Sequence, residues 1–431
     1  MEKALRIALL ATLLRLLVAP FLGHLWDIKT MQETVYYTLK GENVYTLVYT
    51  LSRRVSESTG QPLFYEGYAY LPHLALILTP FYIVYIALGG DPQPIRASGM
   101  IATGLVYEPQ LYMSKDVFLF MTLIKMPMIV ADSLIVYILG KRDLRVAVVY
   151  ALSPYAILIT GAWGMFESLI ALSLLLSMML IERSRYVLSG IAYGFSLIKL
   201  YPILALPVFI LNLRGKGFRA LASFTIGLII SQIPTLLFLL LDPQSFVNTV
   251  LLFHILRQPS GLTPLRMLNL AENLTLTSIV SLLHTAISIA VYTAIIVYVF
   301  KGGVSLVRGV TLAILYFLAF SKVVHEQYYL SVYPLLLQLR MREARLIETL
   351  FLAYTLINVG LFLTSPTLLF LIDYRLLQIH TSIVYGDLGY ISINVVGPLV
   401  TSLISIITFL VIVKTMLNIA TTLNKDSLGV S

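Results

Sequence analysis

Residues 5–27 read LRIALLATLLRLLVAPFLGHLWD. The first part of this stretch, 5–22, is almost wholly apolar, and a helix needs roughly 20 such residues to cross a bilayer. The run ends on Gly23-His24-Leu25-Trp26-Asp27, which sets a carboxylate among aromatic residues where apolar sequence gives way to polar. A long, Tyr-rich polar segment then precedes the next apolar run. A carboxylate at a membrane–water boundary can take a proton from a substrate arriving from water, while a partner held in lipid meets it there. The rest of the chain is read for what could gather around Asp27.

Of the 431 residues 58% are apolar and only 12% charged, and the mean hydropathy is +0.89. An ordinary soluble domain carries about 25% charged residues. The composition implies an all-α, polytopic helical membrane protein, with roughly ten to thirteen spans. The net charge of +9 is therefore read loop by loop, because Lys and Arg collect on the cytoplasmic side. No basic domain stands outside the apolar runs, which excludes a nucleic-acid partner. The absence of Cys excludes disulfides, thiol catalysis and Cys-ligated metals. Ala19-Pro20-Phe21 fits a small-x-small cleavage site poorly, so the first run is expected to stay as a span.

The chain is expected to form a single integral membrane domain over 1–431. It divides into a first span at 1–22, an extracytoplasmic loop at 23–70, core spans over 71–345 and C-terminal spans over 346–431. Within the loop, Ile28, Met31, Val35 and Leu39 recur at helical spacing. The pattern repeats at Val44, Leu47, Val48, Leu51 and Val55, with Arg53 and Arg54 near its end. Both predict amphipathic helices lying in the membrane interface. Tyr65-Glu66-Gly67-Tyr68-Ala69-Tyr70-Leu71-Pro72 then opens the apolar run 71–89.

The run 116–139 carries Lys125 and Asp132, and Lys141 and Arg142 follow it. Counting 71–89 and 116–139 as single crossings puts that basic pair on the wrong side. Either 97–113 also crosses or 71–89 does not cross fully. Further spans are expected at 146–160, 165–181, 220–241, 274–300, 304–321, 346–364 and 390–413. Proline at 202 makes the run 186–213 either one kinked span or two half-helices meeting at Lys199, and the basic groups on both flanks favour the half-helices. The polar clusters 24–33, 65–70, 161–168 with 199–202, and 321–329 then fall on one side. Charges inside a membrane cost roughly 2.5–3.5 kcal/mol each on insertion scales, so their convergence points to a site.

The order of these features resembles the GT-C superfamily of membrane glycosyltransferases, most of all the mannosyltransferase branch that includes the catalytic subunit of GPI mannosyltransferase I. The resemblance rests on Asp27 after the first span and on Tyr68-Ala69-Tyr70-Leu71-Pro72. It continues through Lys125 and Asp132, Ser153-Pro154, Gly161 to Ser168, Lys199-Leu200-Tyr201-Pro202 and Leu206-Pro207, to Phe320-Ser321-Lys322-Val323 with Glu326-Gln327-Tyr328. That branch has paired acids in the first loop, where this chain has Asp27 alone, and an Arg where this chain has Ala162-Trp163.

The resemblance implies inverting transfer of a hexose, mannose first, from a polyprenyl (dolichyl-type) phosphate donor. The acceptor would be lipid-linked or a glycan, and the active face extracytoplasmic. Asp27 would be the base. Lys199 and Lys322 would meet the donor phosphate, with Tyr201, His325 and Gln327 as hydrogen-bonding neighbours. Glu66, Glu167 and Glu326 would orient sugar hydroxyls, replace the base or ligate a divalent metal. His24 and Trp26 would shape the acceptor pocket, and Tyr70 joins the substrate-binding set.

Plainer readings stand beside these. Asp27 could cap a helix starting at Ile28, and each Lys could snorkel to the headgroups. Asp132 and Arg15 read as structural, each in need of a buried partner. The expected partners are membrane lipids, the donor, the acceptor and an accessory membrane subunit. The membrane is the plasma membrane or the endoplasmic reticulum. The rival functions are a transporter or lipid flippase, in which the same charges line a path, and a non-catalytic scaffold.

Overall fold

The computed structural model describes residues 2–59, 67–97, 111–113, 116–270, 274–301, 304–360 and 397–421, with isolated positions between 372 and 383. Helices dominate: α1 (Glu2–Val18), α2 (Leu25–Leu39), α3 (Val44–Thr59), α4 (His73–Ala87), α5 (Val117–Arg142) and α6 (Leu144–Ala151). The short α7 (Pro154–Ala156) runs on as a π-helical turn, Ile157–Trp163. Then come α8 (Glu167–Glu182), α9 (Tyr186–Ser196), a 3₁₀ turn at Tyr201–Ala205, α10 (Leu206–Arg214), α11 (Phe218–Ser231) and α12 (Ile233–Leu241). The described remainder holds α13 (Pro243–Phe246), α14 (Phe253–Leu256), α15 (Leu274–Phe300), α16 (Leu306–Phe320), α17 (Tyr333–Gln338), α18 (Glu343–Val359) and α19 (Gly397–Thr421). Strand pairing among the described residues is confined to two short ladders. β1 (Ile95–Ala97) runs antiparallel to β2 (Leu111–Met113), and β3 (Ser260–Gly261) runs parallel to β4 (Val323–Val324).

The amphipathic helices expected after the first run are present as α2 and α3. The helical break at Lys199 is also present, between α9 and the turn at Tyr201. Among the described residues, the helices long enough to be full spans number fewer than the ten to thirteen spans expected. Val117–Arg142, Ser278–Phe300 and Leu399–Thr421 are long and apolar enough to cross a membrane. Two bent pairs, Leu144–Ala151 with Pro154–Trp163 (49°) and Phe218–Ser231 with Ile233–Leu241 (47°), raise the number to five if each is one span. His73–Ala87, Tyr201–Arg214 and Leu306–Phe320 are apolar but shorter. Proline accounts for part of the shortfall, since it removes a helical hydrogen bond and clashes with the preceding turn. It stands at the first turns of α10 and α12, where apolar sequence runs on but the helix restarts. The described ends of 97–113 lie in strands rather than in a crossing helix.

The helix α5 forms the axis, packed on α1, α4, α6 and α8. Small residues set the closest approaches: a Cβ added at Gly140 would lie 2.9 Å from that of Ala4 on α1. The pair α9 and α11 meet backbone to backbone. A Cβ at Gly190 would fall 2.0 Å from the Phe224 carbonyl oxygen, and one at Gly227 2.0 Å from that of Val187. Such small-residue contacts let helices associate without the hydrophobic effect, as lipid requires. The outward stripe Leu5, Leu9, Leu13 and Leu17 on α1 is left exposed.

Several charges inside the bundle pair with one another. Arg15 and Asp132, both fully buried, bond to each other through Nε and Oδ2. Arg15 also donates from Nη1 to the Ala11 and Ala151 carbonyls (3.1 and 3.0 Å), and the Tyr150 hydroxyl donates to Asp132. On the other side of Tyr150, Glu348 accepts from Ser153 (2.5 Å), Tyr333 (2.6 Å) and Arg345 (2.9 Å). Breaking one half of a buried pair leaves an uncompensated charge and costs about 3–5 kcal/mol. Arg15→Met alone should therefore lower the thermal midpoint in detergent by more than the double variant Arg15→Met/Asp132→Leu. A double variant less stable than the single one would contradict the pairing.

Candidate active site

The end of α1 and the start of α2 place the carboxylate. The helix α2 begins at Leu25, and His24 occupies the N-cap without a side-chain capping bond. Asp27 thus lies inside the first turn and does not cap a helix from Ile28. Its carboxylate is one-fifth exposed. The Trp163 indole Nε1 donates to Oδ2 at 2.7 Å, and His24 Nδ1 lies 2.8 Å from the same oxygen. The His24 and Trp163 ring centroids lie 5.5 Å apart, with the planes tilted by 41°. Oδ1 has no hydrogen bond among the described residues. Burial pushes the Asp27 carboxyl upward, but the charge and hydrogen bond of His24, the Trp163 indole and the Lys199 charge together hold it below the ordinary 3.8. The base form is the resting form.

Trp163 reaches Asp27 because its segment is wound as a π-turn. Gly164 closes that turn in the left-handed region at φ 87°, where the N–H groups of Gly164 and Met165 both donate to the Ile159 carbonyl. A residue with a side chain is disfavoured there. The chain then turns into α8, whose first residue, Glu167, is fully buried and ion-paired with Lys199. The Lys199 ammonium also lies over three aromatic faces: Tyr328 at 4.4 Å, Phe166 at 4.6 Å and Tyr70 at 5.6 Å. Tyr201 stacks on Phe317 at 4.5 Å and lies 5.3 Å from Tyr328. Two buried acceptors in this region, Oε2 of Glu167 and Oε1 of Gln327, have no hydrogen-bond partner among the described residues. Such atoms suit a ligand that brings donors.

The segment 321–328 closes the site. His325 packs edge-on to Tyr328 at 5.4 Å, with Nδ1 3.8 Å from Glu326 Oε2. Glu326 accepts a hydrogen bond from the Asn358 amide. Burial pushes the His325 ring below the ordinary 6.5 despite its bond to Glu326. Lys322 points elsewhere, its ammonium donating to the Ile255 carbonyl at the protein edge. Of the residues singled out in the sequence, Asp27, His24, Tyr70, Glu167, Lys199, Tyr201, His325 and Gln327 gather in one region. Glu66 lies outside the described residues, as does the side chain of Trp26, whose backbone belongs to α2.

Arg257 and His254 join the site without having been singled out as members. The β3–β4 ladder ties their loop to the closing segment, through Ser260 N–H to the Lys322 carbonyl (3.0 Å) and Leu262 N–H to the Val324 carbonyl (2.7 Å). Arg257 is close enough for its charge to act on Tyr70, Lys199, His325 and Tyr328. Its guanidinium packs over Phe253 at 5.3 Å and has no carboxylate partner among the described residues. His254, bonded to the Ala69 carbonyl at 3.2 Å, is pushed down to about 4, chiefly by burial. The available signal was a basic residue in the polar stretch between the expected spans 220–241 and 274–300.

Among the described residues no group of three or more His, Asp and Glu side chains is arranged to hold a metal ion. No known protein family matches the chain, and no curated protein matches it.

His24 is the lever on the base. Replacing it with Ala leaves the upward push of burial less opposed, so Asp27 should protonate at higher pH in His24→Ala than in the wild type. Isotope-edited infrared titration of the Asp carboxyl band reads this directly, and a shift to lower pH would contradict the geometry.

Proposed function

We propose that the chain is an integral membrane inverting glycosyltransferase that moves a hexose, mannose first, from a polyprenyl phosphate to a lipid-linked or glycan acceptor on the extracytoplasmic face. The observation that carries this reading is the arrangement around Asp27: one carboxylate oxygen held by Trp163 and His24, the other without a hydrogen bond among the described residues, and two cations, Lys199 and Arg257, nearby. In this reading the shorter apolar helices complete the bundle as tilted or paired half-spans, towards roughly ten to thirteen crossings.

The transfer is a single displacement. The acceptor hydroxyl gives its proton to Oδ1 of Asp27 while its oxygen attacks the anomeric carbon. The bond from that carbon to the phosphate oxygen breaks, and the polyprenyl phosphate leaves with the electron pair. Its charge needs fixed cations rather than a strong acid. Arg257 suits this role better than Lys322, whose ammonium is engaged at the edge with Ile255. Lys199 serves as the second cation, partly neutralised by Glu167. Tyr70, Phe166 and Tyr328 supply aromatic faces near it for sugar C–H groups, and Glu167 and Gln327 supply acceptors for sugar hydroxyls.

The test is transfer of radiolabelled sugar from polyprenyl-phosphate donors to endogenous acceptors in membranes at equal expression. Asp27→Asn should lower the rate by ~10²–10⁴-fold, the range for a lost general base. Arg257→Ala should lower it by roughly 10²-fold, as for other lost charge-stabilising donors, while Lys322→Ala changes it little. Wild-type failure with mannose, glucose and galactose donors alike would overturn the proposal.

A further inference from the structure

Lys125 stands in the first half of α5, fully buried, and none of the described acidic side chains pairs with it. Its ammonium instead donates to three main-chain carbonyls: Ala19 at 2.7 Å, Ala162 at 2.8 Å, and Leu22. All three protons of the ammonium are thereby used. These carbonyls belong to two segments far apart in sequence. Ala19 and Leu22 lie beyond the end of α1, where free carbonyls and the helix dipole favour a cation. Leu22 is followed at once by Gly23 and His24, while Ala162 immediately precedes Trp163. The two segments that meet at Asp27 are thus both tied to one ammonium.

Gly164 is shaped to this side chain, and Gly23 lies in ordinary contact with its ammonium. A Cβ at Gly164 would lie 2.8 Å from Cγ and 2.9 Å from Cε of Lys125, so the lysine stem runs through the space a larger residue would need. A Cβ at Gly23 would lie 2.6 Å from Met121 Cε and 3.5 Å from the Lys125 Nζ. Burying an unpaired ammonium inside a bundle is costly. A plain packing role at this point would be served as well by Met or Leu.

We infer that Lys125 is a positioning residue: by binding the Ala19, Leu22 and Ala162 carbonyls it sets the Trp163 indole and His24 against one oxygen of Asp27 and aims the other at the substrate. The clasp stands on its own geometry. Its consequence for rate rests on the reading of Asp27 as the base.

The protein has two Trp residues, so Trp26→Phe leaves Trp163 as a single fluorescent reporter of the indole–carboxylate bond. In that background Asp27→Asn should change the Trp163 emission. Lys125→Met, compared at matched monodispersity and thermal midpoint, should produce about half of that change or more. Combining it with Asp27→Asn should add little, since both break one contact. Lys125→Arg, which keeps the charge and donors, should recover part of the wild-type spectrum. If Lys125→Met does not fold, Gly164→Ala, which displaces the lysine stem, should move the emission in the same direction.

In the otherwise wild-type chain, Lys125→Met should lower kcat by roughly 10²-fold with KM little changed, the cost of misplacing a reacting group by about 1 Å. A folded Lys125→Met protein with wild-type Trp163 emission and the full Asp27→Asn change would overturn the clasp. An altered emission with unchanged kcat would overturn its positioning role. An inactive wild type with altered Lys125→Met emission would sink the transfer reading and leave the clasp standing.

Discussion

The grip of Trp163 and His24 on a single oxygen of Asp27 is the constraint that organises the rest of the molecule. A carboxylate at the mouth of an apolar bundle would drift towards water or accept a proton. Two donors on Oδ2 keep it ionised and fix the direction of Oδ1. That grip requires the end of α1 and the turn before α8 to meet, although they are remote in sequence. The π-turn Ile157–Trp163, the left-handed Gly164 and the Lys125 ammonium are the parts that bring them together. Each would be a poor choice in a helix serving only to pack.

The same economy governs the other charges. Arg15 meets Asp132, Lys199 meets Glu167, and Glu348 collects Ser153, Tyr333 and Arg345. Arg257 differs, with an aromatic face beneath it and no acid against it among the described residues. In a region rich in aromatic rings and orphaned acceptors, an unmatched cation marks the place where an anionic ligand would complete the balance.

Much of this was legible in the sequence, for physical reasons. Helical spacing of Ile28, Met31, Val35 and Leu39 announced α2, because amphipathicity is a local property. Arg15 and Asp132 were legible as buried groups needing partners, since an isolated charge in lipid is prohibitive, and they proved to be each other's partner. Proline at 202 announced the break at Lys199. What was not legible depends on long-range docking. The Trp163–Asp27 bond spans 136 positions and turns on a π-turn that leaves no periodic signature. Arg257 reaches the site through a ladder of two residues on each side, too short for an alternating pattern. Where each helix stops was not legible either, because apolar composition persists across points where the backbone restarts its helix.

The most direct measurement is a cryo-electron-microscopy structure of the protein with a non-transferable polyprenyl-phosphonate mannose. The account predicts the phosphonate oxygens on Arg257 and Lys199, and the anomeric carbon facing Oδ1 of Asp27 across room for one hydroxyl group. An analogue bound with its phosphonate away from both cations, or its sugar remote from Asp27, would contradict it.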